Sequence, residues 1–317
     1  SAPPRPRSKR HIAPPIQRRP SPEGLRFLSQ RGRGSIAERN AKLILMVGVL
    51  GVSASAILVR FSQAPSGVTA AYRLGWTALL LLPAALLRGG AEWKRVTRRD
   101  VGLCALSGVC LALHFALWFE SLKWTSVASS TALVSTEVIF VALGFALLFG
   151  GRISRLGWGA IALAVAGSTV LAFAGGGSGG TVGGNGLALA GAAAVAAYTL
   201  IGRYQREHLS TTVYTALTYT ACLITLLVLD GVTGTAVWGW PPREWLIGLG
   251  LAVFCTLMGH SLFSWCLREL SPAYVSAAKL CEPVFAAVLA GILFGEIPDP
   301  AEWISGGMVL AGVLLYT

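Results

Sequence analysis

The sequence predicts an all-α polytopic membrane protein: ten transmembrane helices arranged as two inverted five-helix repeats. Three observations carry that expectation. Apolar runs of about 20 residues recur along the chain, a long segment matches another at a fixed offset, and the basic residues are concentrated in the N-terminal tail and in every second connection. Apolar residues make up 54% and charged residues 13% of the 317, with a mean hydropathy of +0.64. That is more apolar surface than a soluble core of this length requires. In hydrocarbon an unpaired backbone amide costs several kcal/mol, so only helices or a closed barrel can span. Continuous runs such as Leu43 to Val59, rather than short alternating ones, select helices.

Residues 1–41 form a Pro/Arg-rich tail too poor in apolar side chains to bury a core, expected to be disordered. It reads as a basic cytoplasmic arm beside anionic lipid, and its acid-poor composition also fits the remnant of an organellar transit peptide. Ten spans then follow at 42–60, 67–87, 101–120, 126–148 and 154–174, and at 186–203, 210–229, 245–267, 273–294 and 302–317. The stretch 175–185, rich in glycine and without charge, reads as a flexible linker between a first repeat (42–174) and a second (186–317).

With the N-terminus inside, the tail to Lys42 contributes 11 basic residues, the loop after span 2 five, and the later inner loops Arg152, Arg155, Arg203, Arg206 and Arg268, so 11 + 5 + 5 = 21 lie inside. The outer loops hold Arg60, Lys123 and Arg243, with Glu296, Asp299 and Glu302 making the last of them acidic. Both termini are therefore expected in the cytoplasm of a plasma-membrane protein, an organellar membrane being the alternative. The net charge of +12 is thus topological, and nucleic acid is not expected as a partner. The six cysteines (Cys104, Cys110, Cys222, Cys255, Cys266, Cys281) fall inside apolar runs without CxxC or His/Cys spacing, so they read as core residues, with no metal or cofactor expected.

Ser126 to Leu171 aligns without gaps on Ser271 to Tyr316, an offset of 282 − 137 = 145, with 12 identities in 46 positions. Roughly four would arise from composition. Glu137 falls on Glu282, Phe140 on Phe285, Trp158 on Trp303 and Ala166-Gly167 on Ala311-Gly312. Five spans per half is odd, so the second half enters the membrane upside down, the arrangement by which many carriers place a site at mid-membrane.

The segment Lys279-Leu280-Cys281-Glu282-Pro283-Val284-Phe285-Ala286-Ala287, followed by Gly295-Glu296, resembles the EamA-type transporters of the drug/metabolite transporter superfamily, over about residues 42–317. The resemblance implies a ten-helix, two-repeat carrier for metabolites such as amino acids, most often an exporter. Val138 and Gly151 stand where the family commonly has Pro and Glu.

Charges in mid-span are the local evidence for a substrate or proton pathway, since each costs at least about 2.5 kcal/mol to insert. Glu137 and Glu282 read as proton- or amine-binding carboxylates, with Lys279 three residues before Glu282 and close enough on one helix face to pair with it. The alternative is a packing Lys/Glu pair, with Glu137 bonded to hydroxyls. Pro283 removes a donor and would free the Lys279 carbonyl, breaking the helix as a ligand site or as a mere kink. His114 and His260 could relay protons, or simply bond between helices. Arg73, beside Tyr72 and Trp76, could hold a carboxylate, or snorkel to the interface with those aromatics as a belt. Trp118, Tyr198 and Trp265 could line an aromatic substrate's path, or pack against lipid. Gly291 and Gly295 form a GxxxG, a close-packing or dimerisation motif. The GGSGG around Ser178 matches a nucleophile elbow and a nucleotide loop only trivially, being a glycine run with no strand before it.

The sequence therefore reads as a proton-coupled secondary transporter of small metabolites, not an enzyme, partnered by the lipid bilayer and a small-molecule substrate. A phosphorylated-sugar or nucleotide-sugar exchanger is the alternative within transport, and an intramembrane enzyme or scaffold the alternative outside it.

Overall fold

Where the sequence is most continuously apolar, the backbone closes its own hydrogen bonds as long helices, as hydrocarbon demands. The computed structural model describes residues 39–149, 153–174, 181–270, 272–279 and 281–316. The expected tail to residue 38, most of the glycine linker and Ser178 lie outside them. In chain order the elements are α1 (Arg39–Phe61), α2 (Ser66–Gly89), α3 (Arg98–Trp124), α4 (Val127–Val134), α5 (Glu137–Phe149), α6 (Arg155–Ala174), α7 (Val182–Gln205), α8 (Thr211–Val232), α9 (Pro242–Cys266), α10 (Pro272–Ala278), α11 (Cys281–Phe294) and α12 (Pro300–Tyr316). Among the described residues, seven segments are long and apolar enough to cross a membrane.

Two boundaries differ from expectation because of caps. Helix α3 starts at Arg98, not 101: Thr97 and Asp100 form a reciprocal capping box, with Thr97 N donating to Asp100 Oδ2 at 2.9 Å. Helix α7 starts at Val182, inside the expected linker, because Thr181 Oγ1 accepts from Gly184 N at 3.0 Å.

Spans 4 and 9 are each two half-helices rather than one rod. Helix α4 stops at Val134 and α5 restarts at Glu137, while α10 stops at Ala278 and α11 restarts at Cys281. A break therefore occurs in the first half although Val138 replaces proline. Hydroxyls do the work there: Ser135 Oγ donates to Thr131 O at 2.9 Å and Thr136 Oγ1 to Leu133 O at 2.7 Å, and the amide of Ile139 reaches back only three residues, to Thr136 O. In the second half the carbonyl of Lys279, expected free because of Pro283, is taken by Glu282 N at 2.8 Å. Gly295, read as half of a GxxxG packing motif, terminates α11 instead. Its φ is +69°, a Cβ there would meet nothing within 4 Å, and its amide donates to Gly291 O.

The repeat is visible as reciprocal contacts. Helices α6 and α12 cross where a Cβ on Gly167 would fall 2.8 Å from Ser305 O, and one on Gly312 would fall 2.7 Å from Ala160 O. Since 312 − 167 and 305 − 160 both equal 145, each contact is the other's image, as a two-fold relation between the halves requires. Two arginine clamps lie at opposite ends of the bundle, and the carbonyls they grip are related by the same offset although the arginines themselves are 143 residues apart. At the end of α1, Arg60 Nη1 donates to Leu122 O at 2.5 Å; at the end of α7, Arg203 Nη1 donates to Leu267 O at 2.7 Å, and 267 − 122 = 145.

The clamps differ in what anchors them. Arg60 also pairs with Glu296 in the α11–α12 connection, and Glu296 Oε2 accepts from Val127 N at 3.0 Å. Arg203 finds Glu207 on its own chain segment, 3.8 Å away. Beside it Arg206, whose guanidinium burial lowers to about 10, stays cationic at neutral pH and donates to Ser264 O at 3.0 Å. Glu302, expected in an acidic loop, is buried at the Arg60 end, accepting from Ser126 Oγ and Ser129 Oγ at 2.6 Å each.

The apolar core runs through α1, α2, α3, α8 and α9, with Phe115, Phe119, Tyr214 and Tyr219 among its largest side chains. Buried phenols are satisfied by serines, Tyr214 by Ser107 at 2.8 Å and Tyr198 by Ser264 at 3.0 Å. Cys104, Cys222, Cys255 and Cys266 are buried free thiols and Cys110 is half-buried; the Cys281 side chain lies outside the described residues.

Candidate functional site

The half-helix breaks bring charge to the middle of the bundle. Glu137 is the first residue of α5 and Glu282 the second of α11, so each carboxylate sits at a helix start, where the helix dipole favours negative charge. They line one cavity together with Val52 and Ser55 of α1, Arg73 of α2, His114 and Trp118 of α3, Val134, Val195 of α7, His260 and Phe263 of α9, and Lys279. Both halves thus contribute acid, base and imidazole. The free space is about 30 Å³, room for a water molecule or two.

The expected Lys279–Glu282 pair is corrected. Because the helix is interrupted after Ala278, the i, i+3 geometry is lost, and Lys279 Nζ donates instead to Glu137 Oε1 at 2.7 Å, across the two halves. Among the described residues the Glu137 carboxylate has no hydroxyl partner and none from its own half.

Arg73 is corrected as well. It is 0% exposed and does not snorkel to an interface. Its Nε donates to Thr256 Oγ1 at 2.7 Å and its Nη1 to Ser55 Oγ at 3.3 Å, and the guanidinium lies 4.2 Å over the Phe115 ring. Thr256 belongs to a π-helical stretch of α9, Leu251–His260, where Ser261 N reaches back five residues to Thr256 O. Such wide turns re-aim side chains, here Thr256 toward Arg73 and His260 into the cavity. Nothing in the sequence announced Ser55, Thr256, Val52 or Phe263 as neighbours of the charges. A hydroxyl on α1 or α9 has a partner only once the helices pack.

His114 and His260 meet from opposite halves, ring centroids 6.4 Å apart, and both are buried. His114 Nδ1 lies 3.0 Å from Gly191 O, which fixes Nδ1 as the protonated nitrogen. Trp118 stacks on His114 at 5.6 Å, and Tyr198 flanks His260 at 6.0 Å without lining the cavity. Tyr72 and Trp76 are elsewhere: Tyr72 Oη donates to Val237 O at 2.6 Å and stacks on Trp245, and Trp76 Nε1 donates to Trp245 O at 3.0 Å, in a separate apolar groove between α2, α8 and the start of α9. Trp265 packs half-buried against the core.

The arrangement gathers two carboxylates, two cationic side chains and two imidazoles in one buried cavity, with each kind drawn from both halves. A buried polar cavity between two repeated halves suits a carrier. Comparisons with known proteins agree. The model of the EamA-like transporter family matches residues 40–173 and again 182–317. An uncharacterized transporter of Archaeoglobus fulgidus is 27% identical over 75% of this chain and 84% of its own. The uncharacterized inner membrane transporter YedA of Escherichia coli is 28% identical over 80% and 82%, and the uncharacterized transporter YwfM of Bacillus subtilis 27% over 68% and 73%. One crystal structure, 20% identical, superposes with a TM-score of 0.64 over 88% of this chain and 96% of its own, a likeness of fold. With the family model matched once in each half, this chain is an integral membrane transporter that belongs to the EamA-like transporter family.

Proposed function

We propose that the protein is a proton-coupled secondary transporter that exports small metabolites such as amino acids by alternating access. In this reading ten helices cross the membrane as two inverted five-helix halves, 42–174 and 186–317, joined by the linker at 175–185. Both termini face the cytoplasm of a plasma-membrane protein, and the Arg60 end faces outward. The observation that carries it is the buried cavity in which Glu137, Glu282, Lys279 and the two histidines converge from both halves.

Protonating a carboxylate, or replacing its partner with substrate, releases an inter-half ion pair such as Lys279–Glu137. Relative motion of the halves then opens one clamp at a time, Arg60 or Arg203, from a state in which both are closed. The test is substrate flux into proteoliposomes under an imposed pH gradient. Glu282→Gln and Glu137→Gln are each expected to abolish the pH dependence of flux. Unchanged flux and unchanged pH dependence in both variants would sink the carboxylate mechanism.

A further inference from the structure

Helix α3 carries a polar seam from its first turn toward the middle of the bundle. Asp100, Cys104 and Ser107 recur at i, i+4 and i+7, so they share one buried face, and His114 of the central cavity falls on it two turns further along. The seam begins at the Arg203 end. There the half-exposed His208 has Nε2 2.8 Å from Asp100 Oδ1. Gln205 Nε2 donates to Asp100 Oδ1 at 3.4 Å and to Cys104 Sγ at 3.6 Å.

Helices α8, α7 and α9 continue it. A Cβ on Gly108 would fall 2.5 Å from Thr218 O, so α8 crosses α3 here and lays Thr218 beside Cys104. Tyr214, one turn from Thr218, pairs with Ser107 at 2.8 Å. Its Oη would lie 2.8 Å from a Cβ on Gly202, which is one turn of α7 from Tyr198. Tyr198 Oη meets Ser264 Oγ at 3.0 Å, and the Tyr198 ring flanks His260 at 6.0 Å.

Three polar atoms on this route are buried with no hydrogen-bond partner among the described residues: Gln205 Oε1, Thr218 Oγ1 and His260 Nδ1. Gln205 and Thr218 are 0% exposed and His260 is 6% exposed. An unmade buried hydrogen bond is costly, and native proteins satisfy such atoms with bound water. One of the three stands at each end of the route and one midway.

We propose that this seam, completed by bound water, is a proton path joining His208 at the Arg203 end to His260 in the central cavity. It rests on the proton-coupled reading above and gives the route by which the proton reaches the cytoplasm. In each passage one proton leaves at His260 and one is gained by solvent at His208. Every hydroxyl, thiol or water between accepts one and donates one, so the seam returns to its starting charge. Arg99, over the Tyr204 ring that lies beside His208, and Glu92, bonded to Ser210 N, face the His208 mouth. His114, Arg73, Lys279, Glu137 and Glu282 line the cavity at the other.

The test uses the full chain in lipid nanodiscs with isotope-labelled histidine, of which it holds four. Exchange of the His260 ring N–H with deuterated water is followed by NMR with no ligand present. Tyr214→Phe and Cys104→Ala each remove one link. Each is expected to slow that exchange about tenfold or more, the rate equivalent of one lost buried hydrogen bond. Cys104→Ser supplies a relay hydroxyl and is expected to recover the rate. Tyr72→Phe removes a buried phenol from the separate groove and is expected to leave it unchanged. If Tyr214→Phe does not fold, the two Cys104 variants decide alone.

Unslowed exchange in Tyr214→Phe or Cys104→Ala, no recovery in Cys104→Ser, or equal slowing in Tyr72→Phe overturns the path. Gradient-driven uptake of a labelled mixture of the common amino acids into proteoliposomes separates this from the transport reading. Uptake by the unsubstituted protein, with unslowed exchange in the variants, overturns the path and leaves transport standing. Slowed exchange without uptake does the reverse.

Discussion

Lys279 and Glu137 are 142 residues apart and hydrogen-bonded at 2.7 Å, with side chains 12% and 5% exposed. Removing one partner of such a pair leaves the other buried and uncompensated, which costs about 3–5 kcal/mol, whereas replacing both by groups of similar shape is often neutral. Lys279→Ala should therefore lower the unfolding free energy of the detergent-solubilised protein by about that amount, and Lys279→Met combined with Glu137→Gln should restore most of it. A double-mutant cycle on denaturation midpoints checks this; additive effects would mean that the pair is not coupled. Glu137 and Glu282 were legible from the sequence because a carboxylate in an apolar run is anomalous by itself. Their partners were not, since Lys279 is nearest Glu282 in sequence and bonds to Glu137 in space.

At the scale of elements, the α6–α12 crossing is set by glycines. Gly167→Ala would place a methyl carbon 2.8 Å from Ser305 O, and Gly312→Ala one 2.7 Å from Ala160 O, where neither backbone can yield. Each should destabilise by about 1–3 kcal/mol, read as a drop in thermal midpoint. Gly159→Ala, on the same helix with open space around it, should be neutral or slightly stabilising through helix propensity. A destabilised Gly159→Ala would mean that helix ends rather than packing control the response. The helix breaks belong to this scale too. Pro283 marked the second one, while the first is made by Ser135 and Thr136, whose hydroxyls rarely distinguish a break from a plain helix until the carbonyls they capture are seen.

For the whole molecule, the two arginine clamps predict opposite effects of equivalent substitutions. Glu296→Gln or Arg60→Ala removes a contact that ties α1 and α3 to the second half, and should raise the labelling rate of a cysteine placed at Val134 by a membrane-impermeant thiol reagent added outside. Arg203→Ala should raise it for reagent added inside. Both rates rising from the same side would refute a gate at each end. The Arg60 clamp, held by a carboxylate from the other half, should give the larger change.

Composition, the apolar runs and the offset of 145 determined by themselves that this chain is helical, membrane-embedded and internally repeated. Each of those is a property of the chain's own polarity, which lipid reads directly. The expectation of inverted halves came from parity, and a glutamate in each half stood out by the cost of charge in hydrocarbon. Only the tertiary structure decided which charges pair, that Arg73 lies at the centre and not at the interface, and that Tyr72 and Trp76 belong to a different groove. Those outcomes depend on helix rotation and close approach, which are fixed by contacts between residues far apart in sequence, and a hydropathy pattern carries no information about them.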